Sequence, residues 1–192
     1  MPAIDITFLE SLKENYKNYK IFIETGTYLA ETICHMEQYF DKLYTIEISE
    51  NLYANAKKSY SGNKIEFILG DSSKVFVSIL PNIDEDALFF LDGHWSSGIT
   101  GKGEKDCPLI EEISQINEMF KKKAMIIVDD CRLFGKGPKD GKGYPEDWTN
   151  ISSEKILDIL KERLIDFYYL DSSCSKNDRL IINIDALQET NQ

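Results

Sequence analysis

The sequence predicts one α/β domain built on a seven-stranded, mostly parallel sheet that closes in a C-terminal antiparallel hairpin, with helices on both faces. Short apolar runs bounded by turn residues alternate with stretches of helical period along the chain. The runs Ala87–Leu91 and Ala124–Val128 have no polar face, as central strands covered on both sides require. The last two runs, near 165–170 and 179–184, have no helical stretch between them, so a hairpin replaces the usual crossover. A length of 192 residues fits one such domain, spanning 1–192.

Residues 1–19 read as an accessory helix with Phe8, Leu9, Leu12, Tyr16 and Tyr19 facing inward. Residues 20–24 form the first strand, and the helix after it turns Leu29, Ile33, Met36 and Phe40 inward. The second strand, 43–47, precedes a helix striped by Leu52, Tyr53, Ala56 and Tyr60. The third, Ile65–Leu69, precedes a helix carrying Val75, Phe76, Ile79 and Leu80, which Pro81 stops. After the fourth strand comes a helix with Leu109, Ile113, Ile116 and Phe120 on one side. After the fifth, a polar, glycine-rich excursion leads to a helix near 153–163.

With 42% hydrophobic and 29% charged residues, the composition is that of a folded domain, not of a disordered chain. The net charge of −11 opposes binding to nucleic-acid phosphates or anionic membranes, so neither is expected as a partner. The chain does not open on a signal-like apolar stretch, and no run approaches the roughly 20 residues that span a bilayer. A cytoplasmic protein is the expectation. Cys34, Cys107, Cys131 and Cys174 form no CxxC pair and are expected as free thiols. Lys121, Lys122 and Lys123 read as solvated surface, while Lys136, Lys139 and Lys142 along one loop are left open.

In a doubly wound sheet, ligands sit beyond the carboxyl ends of the strands. The first strand runs into Glu24, Thr25, Gly26 and Thr27, where Gly26 permits a tight turn and the next helix offers free N–H groups. The second ends in Glu47, whose carboxylate can accept two ribose hydroxyls. The third ends in Gly70, Asp71 and Ser72, suited to an exocyclic amine. Singly, these are a turn glycine, a solvated strand end and a helix cap. Their recurrence on successive strand ends points instead to a nucleoside-bearing ligand. Only one glycine stands in the first turn, which disfavours the G-x-G-x-x-G nicotinamide cradle, and no G-x-x-x-x-G-K-[ST] loop is present.

On these residues the chain resembles the class I S-adenosylmethionine-dependent methyltransferases, whose sheet is Rossmann-like. The resemblance implies Glu24, Thr25, Gly26 and Thr27 around the amino-acid end of S-adenosylmethionine, Glu47 at its ribose, and Asp71 with Ser72 at its adenine. Ala30 stands where the family carries a later glycine.

The fourth strand ends in Asp92, Gly93, His94 and Trp95, and the fifth in Asp129, Asp130 and Cys131. Neighbouring strands would bring the three carboxylates together, where each raises the others' pKa unless a cation neutralises them. A hard ion such as Mg²⁺ would do so and keep open positions for substrate oxygens. The spacing resembles the metal-dependent sugar O-methyltransferases of macrolide and aminocoumarin tailoring, which carry Asp-Gly-Asp and Asp-Asp at these strand ends. That likeness implies Asp92, Asp129 and Asp130 as Mg²⁺ ligands. His94, in place of the second aspartate, becomes the base, with Asp92 beside it in catalysis. The acceptor implied is small and polar, a sugar or sugar-derived intermediate first, methylated on oxygen.

The alternatives are a metal-independent N- or O-methyltransferase and a non-catalytic S-adenosylmethionine-binding protein. Strand-end aspartates also cap helices, and His94 also reads as a packed loop residue. His35 is placed on a helix surface. Loops 93–107 and 131–150 are expected to shape the acceptor side. In the second, Gly135, Gly137, Gly141 and Gly143 accompany Phe134, Tyr144 and Trp148. Lys102, Lys105, Arg132 and Lys136 are available there for a phosphate or carboxylate. The N-terminal helix is the expected contribution to a homodimer.

Overall fold

The computed structural model describes residues 3–138 and 144–188, so Lys139, Gly141, Lys142 and Gly143 lie outside the described residues. Seven strands form one sheet: β1 (Ile21–Thr25), β2 (Lys42–Glu47), β3 (Ile65–Leu69), β4 (Ala87–Leu91), β5 (Ala124–Val128), β6 (Leu164–Leu170) and β7 (Arg179–Ile184). Their order is β3-β2-β1-β4-β5-β7-β6, with β7 antiparallel to both β5 and β6 and the rest parallel. The chain therefore moves outward from β1 to β3, then returns to lay β4 on the other side of β1. Between β1 and β4 the strand order reverses and a crevice opens at the carboxyl ends.

Each sheet face carries its own core. On one side α4 (Ser72–Ile79), α5 (Leu109–Met119) and α6 (Ser153–Leu160) pack through Phe76, Ile113, Ile116, Ile156 and Leu160 onto Ile23, Phe89, Ile126 and Ile182. On the other, α1 (Ile6–Ser11), α2 (Glu31–Met36) and α3 (Glu50–Ser59) pack through Phe8, Leu9, Ile33, Met36 and Ala56 onto Phe22, Leu88, Ile127 and Ile181. Period-two strands with both faces apolar thus receive period-3.6 helices from either side. Buried Arg163 finishes α5 by donating to the carbonyls of Ile116 and Asn117 in its last turn and of Lys122 just beyond it. Among the described residues, no helix is long and apolar enough to cross a membrane.

Two local expectations change. The N-terminal segment is not one helix: α1 stops at Ser11, Leu12 is extended, and a separate 3-10 turn spans Tyr16–Asn18. Asn15 caps that turn through Lys17 N, and the Tyr168 hydroxyl takes the Lys13 N–H, so two competing sets of bonds break the helix. Phe8, Leu9, Leu12 and Tyr16 are buried against the chain's own sheet. Leu29 is also not inward. Tyr28 and Ala30 adopt left-handed backbone (φ 47° and 60°), so α2 begins only at Glu31 and Leu29 is 56% exposed.

Arg179, at the start of β7, ties the N-terminal segment to the sheet. It donates to the Ala3 carbonyl at 2.6 Å, stacks over the Phe8 ring and faces the Asp129 carboxylate at 3.3 and 3.5 Å. Arg179 and Asp129 are both buried. Removing one partner strands the other, so Arg179→Leu should lower the unfolding free energy by about 3–5 kcal/mol in urea denaturation. A loss below about 1 kcal/mol would show that Asp129 sheds its charge in the fold.

Candidate active site

A cavity of about 700 Å³ opens at the β1–β4 reversal. Its floor is the glycine turn after β1. Gly26 has φ +86°, and a Cβ there would lie 2.7 Å from the Asp92 carbonyl oxygen, so only glycine lets the β1 and β4 ends approach this closely. The amides of Gly26 and Thr27 both donate to the Ile46 carbonyl, and that of Tyr28 donates to Glu47. The free N–H groups expected at the next helix are thus not delivered to this turn, because the helix starts five residues later and the turn amides are already paired.

Glu47, buried at the end of β2, accepts from Tyr28 N and Ser49 N, both at 2.8 Å, one on each carboxylate oxygen. Each oxygen keeps further acceptor capacity, and Glu47 lines the cavity. Asp71 caps α4: its Oδ1 accepts from Ser73 N at 3.0 Å and from Ser73 Oγ at 2.6 Å. Its Oδ2 points toward Gly103, where a Cβ would come within 3.0 Å. Ile46, Ile48 and Leu52 supply apolar wall beside these carboxylates.

Gly26, Glu47, Asp71, Ser72, Asp92 and His94 therefore line one cavity. Glu24, Thr25 and Thr27 lie behind its wall. Glu24 is 2% exposed, accepts from Thr45 Oγ1 at 2.6 Å, and that hydroxyl meets Thr27 Oγ1 at 2.6 Å. Burial pushes the Glu24 carboxyl up to about 8, with the Thr45 bond opposing and Glu47 adding to the rise. It is a neutral buttress under the turn, one layer from the ligand space.

Loop 93–107, expected on the acceptor side, roofs much of this cavity. Trp95 N donates to the Asp106 carbonyl at 2.7 Å, closing the loop at its base. Gly101 packs on Ile48 and Ser49, and Gly103 on Asp71. Lys102 pairs with Asp106 at 2.7 Å and lies over the Trp95 ring, while Lys105 pairs with Glu111 and Arg132 with Asp130 and Asp178. Lys136 reaches the Tyr144 hydroxyl at 3.3 Å. Lys102, Lys105 and Arg132 thus each face a carboxylate of the chain, and Lys136 a hydroxyl.

At the inner end, Asp92 and Asp129 are the strand-end neighbours that the β4–β5 register, Leu91 opposite Val128, requires. Their roles diverge. Asp129 turns to Arg179 and to its own neighbour's amide, Asp130 N at 2.9 Å. Asp130 adopts left-handed backbone (φ 62°), which swings its side chain the other way. One Asp130 oxygen meets Arg132, and the other lies 3.5 Å from His94 Nε2. His94 Nδ1 is 3.7 Å from Asp92, and Nε2 is 3.6 Å from Glu146. Trp148, 3% exposed, walls this ring edge-on at 5.0 Å, stacks on Phe134 and donates to Glu146. Loop 131–150 thus reaches the site through Glu146 and Trp148. Burial first, then Asp129 and Asp130, raise the Asp92 carboxyl well above the usual range, and Arg179 opposes them.

The predicted trio Asp92, Asp129 and Asp130 is accordingly not assembled around one point. Among the described residues two trios have ligand atoms that all lie within 4.8 Å of one another: Asp92, His94 and Asp130, and Asp129, Asp130 and Asp178. Glu112, Glu146 and Arg179 were not singled out from sequence. Glu112 had a legible signal: an acidic residue three positions after Leu109 falls on the inward face of its helix. It is 1% exposed, and burial lifts its carboxyl to about 7, with the Ser72 and Thr25 hydroxyls opposing. His35, expected on the surface, has its Nε2 buried without a partner among the described residues.

No family profile matches the chain, and no curated protein matches it in sequence. Solved structures do match. A provisionally named O-methyltransferase from Klebsiella pneumoniae superposes with a TM-score of 0.63 at 13% identity, covering 89% of this chain and 75% of that one. The O-methyltransferase TomG from Streptomyces achromogenes, involved in tomaymycin synthesis and solved with S-adenosylmethionine, gives 0.59 at 16% identity with the same coverages of 89% and 75%. The N-methyltransferase NodS from Bradyrhizobium japonicum, with S-adenosyl-L-homocysteine, gives 0.55 at 12%, covering 88% and 79%. The chain has the Rossmann-like fold of the class I S-adenosylmethionine-dependent methyltransferases.

Proposed function

We propose that the chain is an S-adenosylmethionine-dependent methyltransferase acting on a small polar acceptor. The observation that carries this reading is the single cavity that runs from Glu47 and Asp71 past the Gly26 turn to Asp92 and His94. Its size is that of a small-molecule site. The donor set fits the cofactor: two strand-end carboxylates with unused lone pairs for hydroxyls and an amine, apolar wall for a purine, and a turn without a side chain. When bound, S-adenosylmethionine supplies an electrophilic methyl on a sulfonium. Glu47 would hold the ribose, Asp71 Oδ2 and Ser72 the adenine edge, and Gly26 would leave room for the chain toward Asp92. Glu24, Thr25 and Thr27 act behind them by fixing the turn.

The proton must leave the acceptor oxygen as its bond to the methyl carbon forms and the carbon–sulfur bond breaks. His94 receives it on imidazole, and Asp92, 3.7 Å from Nδ1, stabilises the charge that results. Trp148 and Glu146 hold the ring in place. A hydroxyl of a sugar or sugar-derived intermediate is the leading acceptor; the acidic chain argues against nucleic acid and membrane surfaces as partners. Divalent-metal assistance is part of the reading, but Asp129 is committed to Arg179, so no step here is routed through an ion. A second acceptor class is favoured by one observation: Asp130 and Glu146 beside His94 would also attract an ammonium, which would give a proton to His94 before its freed nitrogen lone pair takes the methyl.

Tritiated S-adenosylmethionine with a panel of sugars, nucleotide sugars and amines tests this. Label in a hydroxylated acceptor is expected, and His94→Gln should cut that turnover by about 10²-fold or more. Label confined to amines would move the reaction to nitrogen. No transfer to any acceptor despite cofactor binding would leave a binding protein.

A further inference from the structure

We propose that Glu112 is a positioning residue that sets specificity at the adenine end: its carboxyl takes the proton of the Ser72 hydroxyl and so presents the Ser72 oxygen, as an acceptor, to the exocyclic amine of the cofactor. The inference rests on the methyltransferase reading of the cavity. Glu112 lies on the inward face of α5 with Leu109, Ile113 and Ile116, which are buried and apolar. Packing asks for an apolar side chain at this position, and burying a carboxyl there costs stability. Glu112 is nevertheless fully buried.

Contacts on two sides bring this carboxyl to the cradle. One turn further along the same helix face, Gln115 Nε2 donates to the Ser73 carbonyl in the first turn of α4. That bond seats α5 against the start of α4, where Ser72 lines the cavity. On its other side Glu112 borders Asp92 and Gly93 across a space of about 10 Å³. Gly93 in turn packs so closely on the end of β1 that a Cβ there would lie 2.9 Å from Thr25 Oγ1. The carboxyl therefore sits where the ends of β1 and β4 meet the start of α4. The Ser72 and Thr25 hydroxyls both oppose the rise that burial imposes on its pKa, as hydroxyls turned toward a carboxylate do. Its Oε1 has no hydrogen-bond partner among the described residues, so acceptor capacity remains at this meeting point.

A serine hydroxyl can donate or accept, so Ser72 alone does not tell an amine from a carbonyl. With its proton given to Glu112, it presents only lone pairs to the cavity. It then joins Asp71 Oδ2, the oxygen that Ser73 leaves free, as a pair of acceptors for the two N–H bonds of the adenine amine. A hypoxanthine ring carries a carbonyl oxygen at that place and would meet acceptor with acceptor. A site built to receive N–H groups rejects the analogue that lacks them, because its buried acceptors are then left unpaired.

Calorimetric titration with S-adenosylhomocysteine and with S-inosylhomocysteine, its deaminated analogue, tests the assignment. The parent should favour the adenine compound by at least about tenfold. Glu112→Met fills the same space without an oxygen. It should cut that ratio at least about fivefold and leave the thermal midpoint no lower, since a buried carboxyl is removed. Glu112→Gln, which keeps an oxygen for Ser72, should retain the ratio. Ser72→Ala should cut it as Glu112→Met does, and the two together should cut it no further. A packing role alone would weaken both ligands alike and leave the ratio intact, which would overturn the proposal. So would a Glu112→Met chain that does not fold, a Glu112→Gln chain that loses the ratio, or losses that add in the double variant. If the parent binds both compounds alike, only this inference fails; if it binds neither, the methyltransferase reading fails with it.

Discussion

Gly26→Val should reduce affinity for S-adenosylhomocysteine by about a hundredfold or more, equivalent to roughly 3 kcal/mol of binding free energy. The new Cβ would sit 2.7 Å from the Asp92 carbonyl oxygen and 3.2 Å from Gly93 Cα, all backbone that cannot step aside. The β1 and β4 ends would have to separate, and with them the Gly26 turn that Glu47 fixes through Tyr28. The φ of +86° adds strain of about 1–2 kcal/mol for any side chain. Gly135→Ala, away from the cavity lining, is the control: it meets a similar positive φ (+73°) but nothing within 4 Å. It should cost about 1 kcal/mol of stability and leave affinity nearly unchanged. Equal affinity losses in the two variants would show that backbone strain alone, not closure of the β1–β4 crevice, governs binding.

The second large effect is on stability against pH. Glu24 has an ordinary value of 4.5 and is raised to about 8 in the fold. Between those values the folded chain keeps a proton that the unfolded chain has shed, so stability falls as pH rises through this window and is unaffected by Glu24 below it. For Glu24 alone the full fall is on the order of 4 kcal/mol. Glu112, raised to about 7, acts in the same direction. Glu24→Gln keeps an oxygen that accepts from Thr45 but carries no titrating proton. Urea denaturation at about pH 5 and about pH 8 should show the parent losing stability across the interval and Glu24→Gln losing markedly less. A parent flat over that range would mean that Glu24 is not the neutral buttress described.

Most of the sheet was legible because period and composition report burial directly. Ala87–Leu91 and Ala124–Val128 are central because nothing polar interrupts them, and the missing helix before β7 fixes its antiparallel entry. The cradle was legible in outline because parallel strands share one carboxyl edge, so Gly26, Glu47 and Asp71 converge whatever the loops do. The inner site was only half legible. Sequence places Asp129 and Asp130 at one strand end, but the left-handed turn at Asp130 decides which faces the ring, and Arg179 claims the other. That arginine lies fifty residues away on the last strand, and local pattern carries no sign of the pairing. Leu29 failed for a related reason. Helical spacing was extended back through Tyr28 and Ala30, whose left-handed backbone postpones the helix.

The chain's central claim, that this cavity holds S-adenosylmethionine, is tested most directly by calorimetric titration of cofactor-free protein with S-adenosylhomocysteine, NAD⁺ serving as the control. Saturable binding of the first with a stoichiometry of about one, and none of the second, is the expected result, since one glycine and two separate strand-end carboxylates suit a nucleoside without a pyrophosphate. Binding of NAD⁺ in preference, or of neither compound, would contradict the assignment of the cavity and leave the fold without its cofactor.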